Sequence, residues 1–179
     1  FGLVNRLVGQ GVVAPDDPMF HPFLYGGRDG AHQRGGFFGL AGWHDESHVL
    51  RALFEGVCFE HRRHIDTLRS AGATITTVIL SGGGTRSAIW PQMMADILGM
   101  PVMLGQAEET GALGGAIAAA VGIGRFATEA EAVLAMTSVR AQVTPDRSRK
   151  AVFDRRFSLW ARLTSALDSY WEELSGMRL

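Results

Sequence analysis

The chain has 179 residues, enough for one domain with a substantial core. Apolar residues make up 46%, charged residues 20%, and the formal net charge is −1, so no global field favours nucleic acid or an anionic membrane. The single cysteine, Cys58, excludes a disulfide framework within the chain and fits a reducing, cytoplasmic compartment. We therefore expect neither a nucleic-acid partner nor a membrane partner.

The first third of the chain predicts loops followed by one long helix. Residues 1–20 predict a short helical start and then a loop, and the Gly-rich residues 21–45 predict loops around one strand at 37–40. The spacing of apolar residues predicts a helix over residues 47–71 with one buried stripe. Gly72 stands where a left-handed cap would end that helix.

The rest of the chain alternates between strands and helices. "TVIL" at residues 77–80 is apolar and β-branched without alternation, which predicts a strand covered on both faces. A helix is predicted over residues 87–98, where Gly99 ends it. A second buried strand and three helices follow at residues 101–104, 110–122, 128–137 and 146–174. The last helix is predicted to be amphipathic, and its inner stripe includes Phe153, Trp160 and Leu174. This order predicts an α/β domain with a mainly parallel sheet.

Three glycines lie between the first of these strands and the helix after it, in "SGGGTRS" at residues 81–87. Ligands of open α/β sheets sit beyond the carboxyl ends of the strands, and glycine leaves no Cβ to obstruct them. The free N–H groups of a helix start also favour anions or polar ring edges. The run matches neither a P-loop nor a G-x-G-x-x-G motif. A ligand site and a tight turn without ligand both remain open on these residues alone.

Five stretches of the chain, in order, resemble the C-terminal domain of the FGGY family of carbohydrate kinases, within the actin-like ATPase superfamily. They are "HPFLYGGR", "RGGFFGL", "LRALFEGVCF", "SGGGTRSAIWPQMMADILGMPV" and "EETGALGGAIAAAVGIG". The resemblance implies that residues 1–179 are the C-terminal nucleotide-binding domain of such a kinase. It implies a ribonuclease H-like, actin-like fold: a mixed sheet with helices on both faces and a long C-terminal helix.

In that family the glycine stretch is the adenosine motif, which packs its backbone against the adenine and ribose of ATP. The resemblance therefore implies nucleotide contacts at Gly82, Gly83 and Gly84, and extends less firmly to Thr85 and Ser87. "EETGALGG" resembles the family's second interdomain connection. In that connection, small residues of a helix pack against the partner domain. The corresponding small residues in this chain are Ala112, Gly115 and Ala116.

The resemblance also implies that the chain is a fragment. Residue 1 is Phe and not Met, and the first residues are typical of sequence from the middle of a longer protein. No Asp-x-Gly-Thr stretch of the family's N-terminal domain is present. The catalytic Asp, most sugar contacts and most of the Mg²⁺ site belong to that domain, so we expect no catalytic residue here. ATP and Mg²⁺ are the implied cofactors. We expect the fragment to be inactive alone and to expose a sheet edge where the family's first strands are missing.

The motif at Gly26, Gly27 and Arg28, with "GWH" at residues 42–44, is most similar to the branch of L-xylulose kinase-type enzymes. The favoured function is phosphorylation of a ketopentose such as xylulose or L-xylulose, held by the missing domain. A glycerol- or erythritol-type polyol kinase is one alternative. A non-catalytic actin-like domain that binds nucleotide or a partner is another, and a homodimer is possible.

Other reactive side chains have simpler interpretations. His44 and His48, and His61 and His64, have spacings that could place two imidazoles together, but no H-E-x-x-H motif or third ligand accompanies them. We therefore predict no metal site. Cys58 lies on a buried stripe and is predicted to be an inert core thiol. Solvated or capping roles are predicted for the adjacent carboxylates Asp45, Glu46, Glu108 and Glu109.

Overall fold

The computed structural model describes residues 2–9 and 13–177. The helices of this part of the chain are α1 (Gly2–Gly9), α2 (Glu46–Ser70), α3 (Trp90–Leu98), α4 (Thr110–Gly122), α5 (Glu129–Met136) and α6 (Lys150–Gly176). The strands are β1 (Met19–His21), β2 (Gly36–Phe38), β3 (Val78–Leu80), β4 (Val102–Gly105) and β5 (Val139–Val143). Within the described ranges, no helix combines the length and apolar character needed to cross a bilayer. Positions 1 and 10–12 of the predicted helical start lie outside the described residues.

Local signals place both ends of the long helix α2. The Asp45 carboxylate accepts hydrogen bonds from the backbone N–H groups of Ser47 (2.9 Å) and His48 (3.3 Å), which would otherwise lack partners. Beyond the other end, Gly72 has a φ of 94°, a conformation that favours glycine. The predicted helix at residues 47–71 is therefore confirmed within one residue at each end.

The main sheet has three strands in the order β3-β4-β5. β3 and β4 are parallel, with Val78 opposite Val102, whereas β5 runs antiparallel to β4. β5 was not predicted: its alternating sequence VRAQV is almost entirely exposed and gives little hydrophobic signal. The sheet is consequently mixed, as the family resemblance implied, and not mainly parallel as the order of elements suggested.

One face of the sheet is open at β3. Helix α3 covers the other face, but Ile79 in the middle of β3 is 65% exposed. The prediction that β3 is covered on both faces is wrong because no described residue packs closely over that side chain. β3 is also an edge strand, paired in the described sheet only with β4.

The hydrophobic core lies between α2, α3 and α6. Its fully buried side chains include Phe59 and Cys58 from α2, Ile97 from α3, and Phe153 and Trp160 from α6. Phe54 and Cys58 are four residues apart on α2, and Phe153 and Trp160 are seven apart on α6, so each of these helices turns one face towards the core. Most of the core comes from the helices, and Val102 and Leu104 of β4 are also buried in it.

The short strand β1, which lies in a predicted loop, is pressed against α2. A Cβ on Gly56 would lie 2.1 Å from the Phe20 carbonyl oxygen, so only glycine allows this approach. The same carbonyl accepts a hydrogen bond from Trp160 Nε1 at 2.8 Å. β1 pairs antiparallel with β2, close to the predicted strand at residues 37–40.

The long C-terminal helix is confirmed, but its buried stripe is shorter than predicted. Phe153 and Trp160 are buried, and the stripe ends near Thr164. Leu174 was predicted to face inwards and is 50% exposed. The last turns of α6 therefore extend beyond the core formed by the described residues.

Candidate functional site

The glycine turn, residues 82–87, joins β3 to α3 at the carboxyl end of the sheet. Gly82 has a φ of 77° and a ψ of −161°, a region of backbone space that is essentially restricted to glycine. This conformation turns the chain sharply away from the strand direction. Glycine at position 82 is thus required by the backbone itself.

The residues after Gly82 form a single turn of 3₁₀-helix, Gly83–Arg86, which is held from several directions. The Thr85 hydroxyl donates to the Gly82 carbonyl at 2.8 Å, and Arg140 Nη2 on β5 donates to the Thr85 carbonyl at 2.6 Å. The turn is therefore fixed both within itself and to the neighbouring strand.

Ser87 closes the turn and organises the start of α3. Its Oγ accepts hydrogen bonds from the backbone N–H groups of Ile89 (3.2 Å) and Trp90 (3.1 Å) and donates to Asn5 Oδ1 (2.7 Å). Because of this bonding, α3 begins at Trp90 and not at residue 87 as predicted. The hydroxyls of Thr85 and Ser87 both have hydrogen-bond partners within the protein. They therefore stabilise the conformation of the turn. Their contact with a nucleotide stays a prediction.

The outer surface of the turn is bare backbone. A Cβ on Gly84 would meet no atom within 4 Å, and one on Gly83 would meet only Arg86 Nη2 at 3.6 Å. No internal contact therefore demands glycine at these two positions. The missing side chains leave space outside the protein, and a flat ligand could approach the main chain there. In this respect the residues of the turn fit a nucleotide base.

A cavity of about 810 Å³ borders the turn through Ser81 and is called the α4 cavity. Its apolar lining comes from the open face of the sheet and from α4 and α5, through Ile79, Leu113, Ile117, Val133, Met136 and Val139. Its volume would hold a nucleoside. However, small-molecule sites combine an apolar wall with converging polar groups, and this lining is mainly aliphatic. The glycine turn, with its exposed main chain, is therefore the better candidate for binding a polar ring.

The histidine pairs weighed from the sequence have ordinary structural roles. His48 Nδ1 lies 2.7 Å from Asp45 Oδ1, and His44 Nδ1 accepts the backbone N–H of Ala41 at 2.9 Å. Hydrogen bonds from Ser47 and His48 hold the pKa of the Asp45 carboxyl below its usual range, as expected of a charged helix cap.

Cys58 has the predicted environment of a core thiol. Its side chain is completely buried, and burial raises the pKa of the thiol far above its ordinary value. The thiolate, which is the nucleophilic form, is therefore suppressed.

Sequence reasoning missed a polar cluster between the loop after β1 and α6. His32 Nε2 lies 2.9 Å from Asp168 Oδ1, which also accepts a hydrogen bond from Gln33 Nε2 at 3.2 Å. These bonds lower the pKa of the Asp168 carboxyl. Glu172 places a carboxylate oxygen within 4.8 Å of both other ligand atoms. The hydrogen bonds of His32 and Gln33 to Asp168 tie the loop to the helix. Because 136 residues separate His32 from Asp168, no local sequence pattern predicts this contact.

Comparisons with known proteins agree with the geometry of the fold. A profile of the FGGY family of carbohydrate kinases, C-terminal domain, matches residues 7–123. The L-xylulose/3-keto-L-gulonate kinase of Escherichia coli is 33% identical over 170 residues, covering 95% of this chain and 34% of the relative. A probable L-xylulose kinase of Pasteurella multocida is 32% identical over 166 residues, covering 92% and 33%.

Solved structures give the same result. The xylulose kinase from Rhodospirillum rubrum superposes with a TM-score of 0.82 at 30% identity, covering 96% of this chain and 35% of that one. The glycerol kinase of Plasmodium falciparum, solved with ADP, has a TM-score of 0.70 at 18% identity, which shows the fold alone; it covers 91% and 33%. The chain spans about a third of the length of the relatives it matches.

Proposed function

The chain belongs to the FGGY family of carbohydrate kinases, and we propose that it forms the nucleotide-binding C-terminal half of an enzyme that phosphorylates a sugar. In this proposal the glycine turn holds the adenosine of ATP. A second lobe holds the sugar and carries out the transfer of the γ-phosphoryl group to a sugar hydroxyl. The resemblance noted in the sequence is confirmed at the level of family and fold.

One observation carries the nucleotide assignment. Gly83 and Gly84 lack side chains although the protein itself leaves room for them, and both follow the carboxyl end of β3. Ligands of α/β sheets bind at that end of the strands. A ligand that needs the exposed main chain explains glycines that packing does not require. Gly82 is different, because its backbone conformation alone demands glycine.

The turn contributes binding and orientation to the reaction, and no proton transfer. Phosphoryl transfer requires mainly positioning and charge stabilisation, with a base to accept the proton of the attacking hydroxyl. Residues 82–87 contain no carboxylate, which is the oxygen ligand that Mg²⁺ prefers and the usual base for this step. We therefore assign neither Mg²⁺ nor the base to the turn, and their location in the other lobe stays a prediction.

A ketopentose such as xylulose or L-xylulose is the substrate class that the relatives' names favour. Both sequence relatives above are named as kinases of L-xylulose, the first also of 3-keto-L-gulonate. The glycerol kinase structure, at 18% identity, shows the fold alone, so the polyol alternative is left to the experiment. The non-catalytic alternative stays open to the same test, since it predicts nucleotide binding without sugar phosphorylation. A cytoplasmic location and a homodimer stay predictions.

The proposal is tested by filling the space over the turn in the full-length protein. Gly84→Leu places a side chain where the base is expected, and we expect the affinity for ATP to fall at least about tenfold, the equivalent of ~1.4 kcal/mol. Gly42→Leu is the matched control because a Cβ there also meets no atom within 4 Å. Equal ATP affinity in both variants and the parent, with unchanged thermal unfolding, would contradict the nucleotide assignment.

A sugar panel then tests the reaction. We expect ATP-dependent phosphorylation of xylulose or L-xylulose by the full-length protein, and a lower rate with glycerol. ATP binding without phosphorylation of any sugar or polyol in the panel would favour the non-catalytic alternative.

A further inference from the structure

Three side chains of metal-ligating types meet where the loop after β1 packs against α6. His32 Nε2 and one carboxylate oxygen each of Asp168 and Glu172 lie within 4.8 Å of one another. Asp168 and Glu172 are four residues apart on α6, so their side chains share one face of the helix. His32 approaches that face from the loop, with its Nε2 at 2.9 Å from Asp168 Oδ1. Two distant segments of the chain therefore direct donor atoms to one point, which is called the loop–helix cluster.

The cluster brings two negative charges together. Like charges at positions i and i+4 of a helix repel each other. Across residues 2–9 and 13–177, no arginine or lysine pairs with Asp168 or Glu172, and the Glu172 carboxylate has no hydrogen-bond partner. The cluster consequently has the donor atoms and the charge that suit a bound cation.

A buried amide beside the cluster has an oxygen without a partner. Gln33 is 1% exposed, and its Nε2 donates to Asp168 Oδ1 at 3.2 Å. Its Oε1 accepts no hydrogen bond from the described residues, which is costly for a buried acceptor. A half-turn of the amide would place Oε1 at the present position of Nε2, facing the Asp168 carboxylate. Two oxygens tolerate that arrangement when they ligate one cation, because ~2.1 Å bonds that meet at right angles set them about 3 Å apart.

Two glycines of the loop make room for His32 and Gln33. A Cβ on Gly30 would lie 2.1 Å from His32 Cε1, and a Cβ on Gly27 would lie 1.8 Å from Gln33 Oε1. A side chain at either position would therefore displace the imidazole or the amide from its place beside α6.

We propose that His32, Asp168 and Glu172 bind a divalent transition-metal cation, for which Zn²⁺ is the best match. Zn²⁺ takes imidazole nitrogen together with carboxylate oxygen, whereas Mg²⁺ and Ca²⁺ take oxygen ligands. His32 Nε2 and Asp168 Oδ1, which are 2.9 Å apart, fit adjacent positions around one cation, and Gln33 Oε1 offers a fourth donor. The cation fastens the loop to α6. This site uses neither of the histidine pairs considered in the sequence and shares no residue with the glycine turn.

Zinc binding to the full-length protein, measured by calorimetry without nucleotide or Mg²⁺, tests the proposal. We expect the parent to bind Zn²⁺, and His32→Ala and Glu172→Gln each to weaken this binding at least about tenfold, since even changes behind a metal ligand cost about 10–100-fold. Glu172→Gln is the safer variant for folding, because Glu172 is exposed. His64→Ala is the matched control: His64 Nε2 lies 3.0 Å from Glu60 Oε1, with no third ligand among the described residues.

Thermal unfolding gives a second measurement. Zn²⁺ should raise the unfolding midpoint of the parent and of His64→Ala, EDTA should reverse the rise, and the rise should be smaller in Glu172→Gln. A parent that binds no Zn²⁺, or equal zinc affinity in the parent, His32→Ala and Glu172→Gln, would overturn the proposal. A loss of affinity in His64→Ala as large as that in His32→Ala would also overturn it, because the effect would not be particular to the loop–helix cluster.

Discussion

Two regions of the molecule use their residues in opposite ways. The scaffold region, formed by β1, α2 and α6, contains a buried ion pair: Arg156 Nε and Nη2 each lie 2.6 Å from a Glu55 carboxylate oxygen. The nucleotide region comprises β3, β4, β5, the glycine turn, α4 and α5. There α4 has no buried residue and Ile79 is 65% exposed. The first region thus stabilises the fold through buried contacts, while the second leaves apolar surface exposed beside the turn where we propose that the nucleotide binds.

The largest expected effect comes from breaking the buried ion pair of the scaffold region. Arg156 also donates to four carbonyls of the segment before β1, those of Ala14, Pro15, Asp17 and Pro18. Arg156→Met leaves Glu55 buried without its partner, and we expect a loss of about 3–5 kcal/mol in the free energy of unfolding. Urea denaturation measures the change.

The double variant Arg156→Met with Glu55→Met is the control for this prediction. It removes both charges, so we expect it to be more stable than Arg156→Met alone. If the single variant lost less than about 1 kcal/mol, the internal pairing would not be what distinguishes the scaffold region.

The next effect is a pH dependence centred on His21 in β1. This imidazole is fully buried, and its desolvation lowers its pKa from 6.5 to about 4. Between these two pKa values the imidazole of His21 is protonated in the unfolded chain but neutral in the folded protein. Stability is therefore expected to fall between about pH 6.5 and about pH 4, by up to about 3.4 kcal/mol, and the contribution of His21 levels off below that range.

His21→Phe tests this assignment, because the ring packs among aromatic neighbours, including Phe38 and Trp160. Urea midpoints measured from pH 4 to pH 7 should decline less in the variant than in the parent. Parallel declines in the two proteins would show that other groups cause the pH dependence.

A glycine substitution in each region sharpens the comparison. Gly56→Ala forces a Cβ against the Phe20 carbonyl, and we expect α2 to be displaced at a cost of about 1–3 kcal/mol. Gly122→Ala, at the end of α4, meets no atom within 4 Å and should be neutral or stabilising by up to about 1 kcal/mol. Chemical denaturation of both variants gives the comparison. Similar values for the two would mean that the regions do not differ in packing as described.

The smallest expected loss of stability concerns the junction between the regions. Ser87→Ala removes the acceptor for the first N–H groups of α3 and the bond to Asn5. We expect a loss of about 1 kcal/mol, typical of a removed helix cap. A Ser87→Ala protein as stable as the parent would show that this hydroxyl does not organise the turn.

Local signals made much of this fold predictable. Asp45 and Gly72 mark the ends of α2, and Gly99 ends α3 with a φ of 65°, because each acts within a few residues of its own position. β1 and β5 could not be found in this way, since both depend on distant partners. The ion pair of Arg156 joins residues 101 positions apart, and no spacing rule reaches so far.

The candidate site also has features that the sequence predicts and features that depend on distant residues. The position of the three glycines at a strand end was visible in the sequence, and the family resemblance gave them a ligand. The hydrogen bonds of Thr85 and Ser87 could not be predicted from the sequence, because their partners Arg140 and Asn5 are far away along the chain.

A crystal structure of the full-length protein with a non-hydrolysable ATP analogue is the most direct test of the nucleotide site. We expect the purine to contact the main chain of Gly82, Gly83 and Gly84. A base bound in the α4 cavity, or anywhere else away from the glycine turn, would contradict the account.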